Sequence, residues 1–407
     1  MLNFIHPDRA LELVVEAAKR LRPEPAVETV PLSEASGRAL PRSLASAIDH
    51  PPFDKSAMDG YAYSAIAPGG IYRVVDAVAA GRGTVMSPGL GEVVKIMTGA
   101  PLPQGTIGVQ RIERTRDAGV DVAGLPLVTF TEAEKYSNII SKGENLAAGQ
   151  PLLSPRVLAP QDIGILAAAG VAWIDAAARP LVGVVSTGDE LCPQGRPLPA
   201  ASIYDSNGPQ LVAQALAAGL RARFYGIVPD SGEKLEEVLG LALGECDILL
   251  VSGGVSMGDF DFVPSVLGKL GVEPIFHRLA MKPGKPTFFG TGRRTAVFGL
   301  PGNPVSTFVN FEIFVKPCAC AMMGLDCHPP VEVAVLGADV KRWEIDRVEF
   351  LPARLVATGR GMEALPLTYH GSSMINVLAE ADVLLRLEIG QERLEKGAIV
   401  RARRLRP

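Results

Sequence analysis

Apolar segments that end in small residues alternate with amphipathic helices between residues 181 and 317. LVGVVSTG at 181–188 and DILLVSGG at 247–254 are continuous apolar runs, and helical periodicity covers 208–220 and 231–245. Further predicted elements are strands at 221–230 and 295–302 and helices at 260–271 and 303–317. Because strands that alternate with helices form sheets covered on both faces, this region predicts a doubly wound, mostly parallel α/β sheet.

The rest of the chain has other periodicities. Residues 7–22 carry apolar side chains at helical spacing. The stretch 50–137 is rich in Gly, Pro, Val and Thr and predicts a β-rich region, and the Ala-rich stretch 158–178 predicts a helix broken at Gly170. Short alternating strands after Pro330 predict a terminal β-barrel or small sheet. We therefore predict an α/β multidomain protein with a mixed N-terminal linker domain (1–47 with 138–178), a β-rich domain (48–137), the α/β domain (179–329) and a C-terminal β domain (330–407).

Charge and hydropathy limit the class of protein. The 407 residues include 40 Lys+Arg and 44 Asp+Glu, a net charge of −4, whereas a general nucleic-acid binder shows a basic domain or stripe. The longest nearly pure apolar run, 165–174, is about half of what a membrane span requires. The N-terminal MLNFIHPDRALEL lacks the pattern of a secretory signal. We expect a soluble, cytoplasmic protein with no nucleic-acid or membrane partner.

The five cysteines are odd in number and unevenly spread, which favours a reducing compartment over a disulfide framework. Cys318, Cys320, Cys327 and His328 lie close together and leave a metal site open as an alternative. Their Cys-x-Cys spacing at the end of an apolar helix favours buried thiols.

Three predicted strands end in turns of small residues: STGDEL at 186–191, SGGVSMGDFD at 252–261 and GLPGNPVS at 299–306. Such turns let backbone N–H groups and helix N-termini approach an anion, and none matches a P-loop or a dinucleotide fingerprint. They predict a phosphate-type pocket at one edge of the sheet. The residues that we expect to line it are Ser186, Thr187, Gly188, Asp205, Ser252, Gly253, Gly254, Ser256, Gly258, Pro301, Gly302, Asn303 and Pro304.

Carboxylates accompany these turns, and carboxylates beside a phosphate site require a bridging cation, most often Mg²⁺. Glu190 and Asp261 have no evident capping role and are the better candidates. Asp205 and Asp230 each precede a predicted helix, so an N-cap role stays open for both.

Three loops carry further candidate residues. In MKPGKPTFFG (281–290), Lys282 and Lys285 lie in a loop stiffened by proline and can converge on one anion, a solvated turn being the alternative. FDKSAMDGYA (53–62) contains Asp59, and MTGAPLPQG (97–105) contains Thr98. Polar loops of this kind are often functional, and a structured turn is the alternative. No Ser–His–Asp arrangement is evident, which disfavours covalent hydrolase chemistry.

Together these strings, with DSNGPQL at 205–211, resemble the molybdopterin molybdenumtransferase family, in the family's order and spacing. The resemblance implies an elongated homodimer in which 1–47 with 138–178 serves dimerisation. It implies molybdenum insertion into adenylylated molybdopterin, with molybdate as the second substrate and Mg²⁺-dependent hydrolysis that releases AMP and molybdenum cofactor. The implied partners are the preceding adenylyltransferase and the recipient molybdoenzymes.

By position in the family's motifs, the resemblance assigns functional roles to Asp59, Thr98, Glu190, Asp230, Asp261, Lys282 and Lys285, with Glu190, Asp230 and Asp261 as metal ligands. Pro301 and Pro304 shape a loop, and Arg347 and Ser372 contact the anion.

The chain departs from the family's pattern at Asn145, where many relatives have Asp, and at 375–377, which reads Ile-Asn-Val where a Ser-Ser pair is common. A non-catalytic, pterin-binding scaffold of the same fold therefore remains an alternative to the enzyme. The adenylyltransferase that precedes insertion is a third reading with less support. The sequence does not distinguish molybdate from tungstate.

Overall fold

The computed structural model describes residues 1–66, 70–83, 86–254, 262–326, 332–359 and 361–405. They form two compact units. The first comprises Met1–Arg42, Pro155–Leu158 and Ile174–Pro407, and the second comprises Ser43–Ser154 and Ala159–Trp173. This division is coarser than the four predicted domains, whose boundaries stay predictions.

A mixed sheet, here called the central sheet, lies within the first unit. Its described strands, in spatial order, are Leu2–Ile5, Glu273–Leu279, Phe288–Thr291, Ala296–Leu300, Ile248–Ser252, Leu181–Thr187 and Arg221–Val228. The last four are mutually parallel, and Phe288–Thr291 is antiparallel to both of its neighbours. This order confirms the predicted doubly wound, mostly parallel sheet.

Both faces of the central sheet are buried, because successive residues of a strand point to opposite faces. Along Ile248–Ser252, Ile248 and Leu250 belong to one apolar core, whereas Leu249 and Val251 belong to another. The first core includes residues of helices Pro7–Leu21, Asn207–Ala217, Pro304–Asn310 and Lys316–Met322, and the second includes residues of helices Gly232–Glu245 and Val263–Lys269. Helices on both faces explain why these strands are apolar without alternation.

The helix predicted over 303–317 runs five residues beyond its predicted end at Pro317. A π-helical turn, Phe311–Val315, joins its two α-helical parts. The wider turn accommodates Pro317, which has no N–H to donate and would otherwise clash with the preceding turn. Pro304–Met322, with 19 residues, is long and apolar enough to cross a membrane, but 83% of its most apolar 18-residue window is buried inside the fold, as in a core helix.

The prediction of a helix over 158–178 is wrong in its second half. The helix Pro160–Ala168 ends before Gly170, which has a φ of +76°. Trp173–Ala177 is a strand paired with Val27–Pro31. Glycine in the left-handed region ends a helix, and the strand gains a partner from far along the chain that local composition does not reveal.

The second unit contains the β-rich part. The described strands of its main sheet are, in spatial order, Thr115–Val120, Pro126–Phe130, Ile71–Val78, Glu92–Ile96, Gly60–Tyr63 and Gly108–Arg111. Leu44–Ala45 pairs with Pro151–Leu153, and Lys55–Ser56 pairs with Ile139–Ile140. The prediction of a β-rich region over 50–137 is confirmed.

The C-terminal strands close into a barrel. Its described strands are Val348–Thr358, Gly361–Pro366, Glu332–Leu336, Ile399–Arg404 and Val383–Leu387, and the last pairs back with the first. Closure leaves no unpaired sheet edge within this ring. Met281–Lys282 pairs with the start of Val348–Thr358, so the barrel adjoins the loop that carries the predicted lysines. The expected terminal β-barrel is confirmed.

Candidate functional site

The ends of the parallel strands meet at one edge of the central sheet, here called the carboxyl edge. The strands Leu181–Thr187, Arg221–Val228, Ile248–Ser252 and Ala296–Leu300 all end there, because they are parallel to one another. The loop from Leu279 to Phe288 lies at the same edge, since Phe288 pairs with Gly299 in antiparallel register. The structure therefore brings the predicted turns and the lysine loop to one edge.

The turn after Ile248–Ser252 requires glycine at two successive positions. Gly253 has a φ of +97°, and a Cβ there would approach the carbonyl oxygen of Thr187 to less than 3.0 Å. Gly254 has a φ of +61°, and its Cβ would lie 2.8 Å from Cγ2 of Val263. These glycines let the backbone of one strand end pass close to the next. Ser256, Gly258 and Asp261, predicted for the same loop, lie outside the described residues.

Two hydroxyls at the end of Leu181–Thr187 orient two predicted carboxylates. Ser186 Oγ donates to Asp205 Oδ2 at 2.9 Å, and the N–H of Gly208 donates to Asp205 Oδ1 at 3.0 Å. Asp205 thus caps the helix Asn207–Ala217, which is the alternative that the sequence left open. Thr187 Oγ1 donates to Asp230 Oδ1 at 2.6 Å.

The capping alternative for Asp230 is wrong. The helix Gly232–Glu245 has no side-chain hydrogen bond at its N-cap, Ser231. Instead, the Asp230 backbone N–H donates to Asp189 Oδ1 at 3.2 Å, which brings the Asp189 carboxylate to the backbone of Asp230 at the carboxyl edge. Asp189 also lines a cavity of about 430 Å³, together with Gly188 and Arg196.

Glu190 is exposed and follows these carboxylates directly. Among the described residues, no group of three or more His, Cys, Asp or Glu side chains is placed to hold a metal. Mg²⁺, however, keeps several waters and needs only one or two protein carboxylates. Glu190, Asp189 and Asp230 fit that requirement, whereas the third predicted ligand, Asp261, is not among the described residues.

Asn207 is a residue that the sequence analysis missed. Its Nδ2 donates to Ser252 Oγ and to the carbonyl oxygen of Gly302, both at 2.7 Å, and the residue is 8% exposed. This one side-chain amide thereby links the end of Ile248–Ser252 to the turn that follows Ala296–Leu300. In the string DSNGPQL, Asn207 looked like part of a helix start, and the partners that give it a role are distant in sequence.

The turn after Ala296–Leu300 is held from two sides. Pro301 accepts a hydrogen bond from Thr307 Oγ1 at 2.5 Å, and Pro304 begins the helix Pro304–Asn310. Asn303 Nδ2 donates to Ser372 Oγ at 2.8 Å, and the carbonyl of Ser372 accepts from the Val305 N–H at 3.1 Å. Ser372 therefore lies at the carboxyl edge, and its contact with the ligand stays a prediction.

The two predicted lysines have different neighbours. Lys282 Nζ lies 3.5 Å from Glu349 Oε1 and 3.6 Å from Glu344 Oε2, whereas Lys285 Nζ lies 5.8 Å from the ring centroid of Phe4. No contact between the two ammonium groups and one shared side chain is found in the described chain, so their convergence on one anion stays a prediction.

Arg347 shares a partner with Lys282. Its Nη2 donates to Glu344 Oε2 at 2.6 Å, so an ammonium and a guanidinium meet at one carboxylate. Glu349, 9% exposed in its side chain, accepts from Arg342 Nε at 2.8 Å and braces Lys282. The sequence analysis singled out neither Glu344 nor Glu349, because their partners become visible only through the pairing of Lys282 with Glu349 across strands.

The second unit brings together two other predicted residues. Asp59 Oδ1 accepts hydrogen bonds from the Thr98 backbone N–H at 2.6 Å and from Thr98 Oγ1 at 2.8 Å. The backbone donor first, and then the hydroxyl, hold the pKa of Asp59 below its ordinary value. The two loops that the sequence marked as functional therefore meet at an exposed, ionised carboxylate.

The charged groups of the first unit are distributed along the carboxyl edge. The carboxylates follow Leu181–Thr187 and Arg221–Val228, whereas the lysine loop precedes Phe288–Thr291. Four strand spacings separate the outermost of these strands, or about 19 Å at ~4.8 Å each. A single small anion cannot reach both groups, but an extended ligand with separated charged ends can.

Comparison with known proteins identifies related sequences along nearly the whole chain. The MoeA N-terminal region (domain I and II) matches residues 5–170, a probable molybdopterin binding domain matches 183–319, and the MoeA C-terminal region (domain IV) matches 334–403.

Individual relatives cover the same length. A molybdopterin molybdenumtransferase of Staphylococcus aureus is 31% identical over 410 residues, covering 98% of this chain and 95% of that protein. One of Staphylococcus epidermidis is 30% identical over 381 residues, covering 91% and 89%. The crystal structure of a molybdopterin biosynthesis MoeA protein from Pyrococcus horikoshii matches with a TM-score of 0.81 at 29% identity, covering 99% of this chain and all of that one.

The doubly wound sheet, the closed barrel and the charged carboxyl edge define a multidomain α/β protein of the molybdopterin-binding class. The chain belongs to the molybdopterin molybdenumtransferase family. It is a transferase enzyme of molybdenum cofactor biosynthesis.

Proposed function

We propose that the enzyme inserts molybdenum from molybdate into adenylylated molybdopterin and releases AMP by Mg²⁺-dependent hydrolysis of the phosphoanhydride. The observation that supports this most is the separation of cations and carboxylates along the carboxyl edge. The substrate has its dithiolene at one end and its phosphoanhydride at the other, so it needs two sites of opposite chemistry on one surface.

The cationic end suits molybdate, a tetrahedral dianion. Lys282 forms an ion pair with the Glu344 oxygen to which Arg347 donates a hydrogen bond, and both side chains are cationic donors suited to a charged oxygen. Ser372, fixed by Asn303, places a hydroxyl near the same strand ends. These groups bind and orient the oxyanion.

The carboxylate end suits hydrolysis of the anhydride. Glu190, Asp189 and Asp230 would hold Mg²⁺, which supplies electrostatic stabilisation of the phosphoryl oxygens when bound. Thr187 donates to one oxygen of Asp230 and thereby fixes the orientation of the other, which can accept a proton from an attacking water. By resemblance to the family, Asp261 is a further metal ligand and catalytic carboxylate.

The turns between these ends suit the phosphates themselves. Gly254 carries its N–H in the turn after Ile248–Ser252 at a φ of +61°, whereas the N–H groups of Gly253 and Val305 already donate to the carbonyls of Leu300 and Ser372. Backbone donors of this kind bind anions without adding a mobile side chain.

The test is an assay of AMP release and cofactor formation from adenylylated molybdopterin, molybdate and Mg²⁺. Lys282→Gln should raise the molybdate concentration needed for half-maximal rate by about tenfold or more, because it removes one charge-assisted contact. Asp230→Asn should lower the rate of AMP release about 100-fold at saturating molybdate. Lys269→Gln, at an exposed position of the helix Val263–Lys269, is the matched control and should behave as the wild type.

Two results would contradict the proposal. Unchanged kinetics in both site variants would show that the carboxyl edge takes no part in the reaction. Tight binding of the pterin nucleotide by the wild type without any AMP release would favour the scaffolding alternative.

We further propose a homodimer that works in the cytoplasm, receives its substrate from the preceding adenylyltransferase and delivers cofactor to recipient molybdoenzymes. The family membership supports these assignments. Sedimentation velocity at micromolar concentration tests the first of them, and a species of one chain's mass, 42.9 kDa, would contradict it.

A further inference from the structure

A second cavity, of about 510 Å³, lies in the first unit at the far end of two helices that begin at the carboxyl edge. Asn207–Ala217 and Pro304–Met322 start at that edge, and the cavity is lined by Ala218 and Leu220 beyond the first and by residues 316–326 at the end of the second. A helical segment of 19 residues spans roughly 27 Å, so the cavity is separate from the candidate active site.

The lining of this cavity combines an apolar wall with basic side chains. Its apolar and weakly polar lining residues are Pro155, Val157, Ala218, Leu220, Pro317, Ala319, Cys320, Met323 and Leu325. Its charged lining residues are Arg156, Lys316, Arg403, Arg404 and Asp326. The volume lies within the range of small-molecule sites, which are mostly apolar with a few placed polar groups.

Arg403 is the most deeply buried cation of this set. Its side chain is 14% exposed, and its Nε lies 4.0 Å from Glu312 Oε2. Its Nη1 is buried and has no hydrogen-bond partner among the described residues. Burial lowers the pKa of the guanidinium, which reflects the cost of holding this charge away from water.

Glu312 does not balance that charge, because it is already engaged. Lys316 Nζ lies 2.7 Å from its Oε2, and Gln214 Nε2 donates to its Oε1 at 3.1 Å. The ends of the two helices add about half a negative charge each. Lys316 and Arg403 therefore share one carboxylate, and the buried Nη1 of Arg403 still has no hydrogen-bond partner among the described residues.

We propose that this cavity binds a small amphipathic anion, with an apolar or aromatic body and one carboxylate, sulfonate or phosphate group. The apolar wall receives the body, and Arg403 with Lys316 receives the anionic group. The proposal does not depend on the reaction assigned to the carboxyl edge.

The test uses the full chain and two probes, anilinonaphthalene sulfonate for fluorescence and decanoate as competitor. The wild type should bind one dye per chain, and decanoate should displace it, whereas decanol at equal concentration should not. Arg403→Gln should weaken dye binding about tenfold, and Val157→Trp, which fills the cavity from an exposed position, should abolish it. Arg354→Gln, at an exposed arginine of the barrel, is the matched control.

Thermal melts of each variant show whether it is folded, and Val157→Trp provides the test if Arg403→Gln does not fold. Equal displacement by decanol and decanoate would overturn the proposal, as would undiminished binding to Val157→Trp. A change in sedimentation of Arg403→Gln or Val157→Trp without a change in dye affinity would also overturn it, and would make the cavity a contact surface for a second copy.

Discussion

Lys282 Nζ lies 3.6 Å from Glu344 Oε2, so one of the lysines assigned to the oxyanion already faces a carboxylate of its own chain. The same oxygen accepts a hydrogen bond from Arg347. A carboxylate between two cations takes the position that an oxyanion substrate requires. Glu344 is 54% exposed, so under the proposed function it can move away when molybdate binds.

Removing the charge of Glu344 should strengthen molybdate binding. Exposed ion pairs contribute about 0.2–1 kcal/mol, so Glu344→Gln should lower the dissociation constant for molybdate by a factor of about 1.4 to 5, as measured by isothermal titration. Glu395→Gln, at an exposed glutamate beside Arg393, is the matched control and should leave it unchanged. Weaker binding in Glu344→Gln would show that Glu344 positions Lys282 rather than competing with the substrate.

Asn207→Ala should loosen the carboxyl edge more than a neighbouring change on the same helix. It removes two buried hydrogen bonds, to Ser252 and Gly302, and should lower the free energy of unfolding by about 2 kcal/mol and the rate of AMP release with it. Gln210→Ala removes one bond, to Pro304, and should cost about 1 kcal/mol. Urea denaturation measures the free energy of unfolding of both variants. Equal decreases would show that Asn207 does not hold the two turns together.

Comparing Gly253→Ala with Gly226→Ala distinguishes the cost of backbone strain from the cost of a steric clash. The two glycines have nearly the same φ, +97° and +101°, but a Cβ meets the Thr187 carbonyl only at Gly253, and open space at Gly226. Gly226→Ala should cost about 1 kcal/mol, and Gly253→Ala should cost about 2 kcal/mol more and abolish AMP release. Equal unfolding energies in calorimetry would mean that the turn after Ile248–Ser252 can shift to admit the methyl group.

The pKa of Asp59 should respond only in part to the loss of the Thr98 hydroxyl. The backbone N–H of Thr98 is the larger cause of the lowered pKa and survives in Thr98→Val, so the pKa should rise but stay below its ordinary value. Carboxyl NMR titration measures this, with Thr106→Val as control, since that hydroxyl donates to Pro103 instead. A full return to the ordinary value would show that the hydroxyl dominates.

The same shift predicts a pH dependence of stability. Because the folded pKa of Asp59 lies below its unfolded pKa, the ionised group stabilises the fold at pH values above the unfolded pKa. That contribution is lost as the pH falls through the folded pKa. Thr98→Val should therefore lose less stability than the wild type over this acidic range, as measured by denaturation at a series of pH values.

Much of the fold followed from local patterns. Continuous apolar runs such as 247–254 ended in small residues, and only a sheet covered on both faces accounts for that pattern, which Ile248–Ser252 confirms. The break predicted at Gly170 is confirmed, but the helix predicted beyond it is wrong. Alanine content reports only local preference, whereas the strand Trp173–Ala177 depends on a partner about 140 residues away.

The sequence by itself determined the order of the elements, the family and the residue types that collect at strand ends, because these depend on periodicity and on motifs contiguous in the chain. Only the tertiary structure decided which of those residues touch. Asn207 contacts both Ser252 and Gly302, Glu344 lies beside Lys282, and Arg403 is buried beside Glu312, each through pairs far apart in sequence. Charge and hydrogen bonding act over a few ångströms in space, and sequence separation carries no information about that distance.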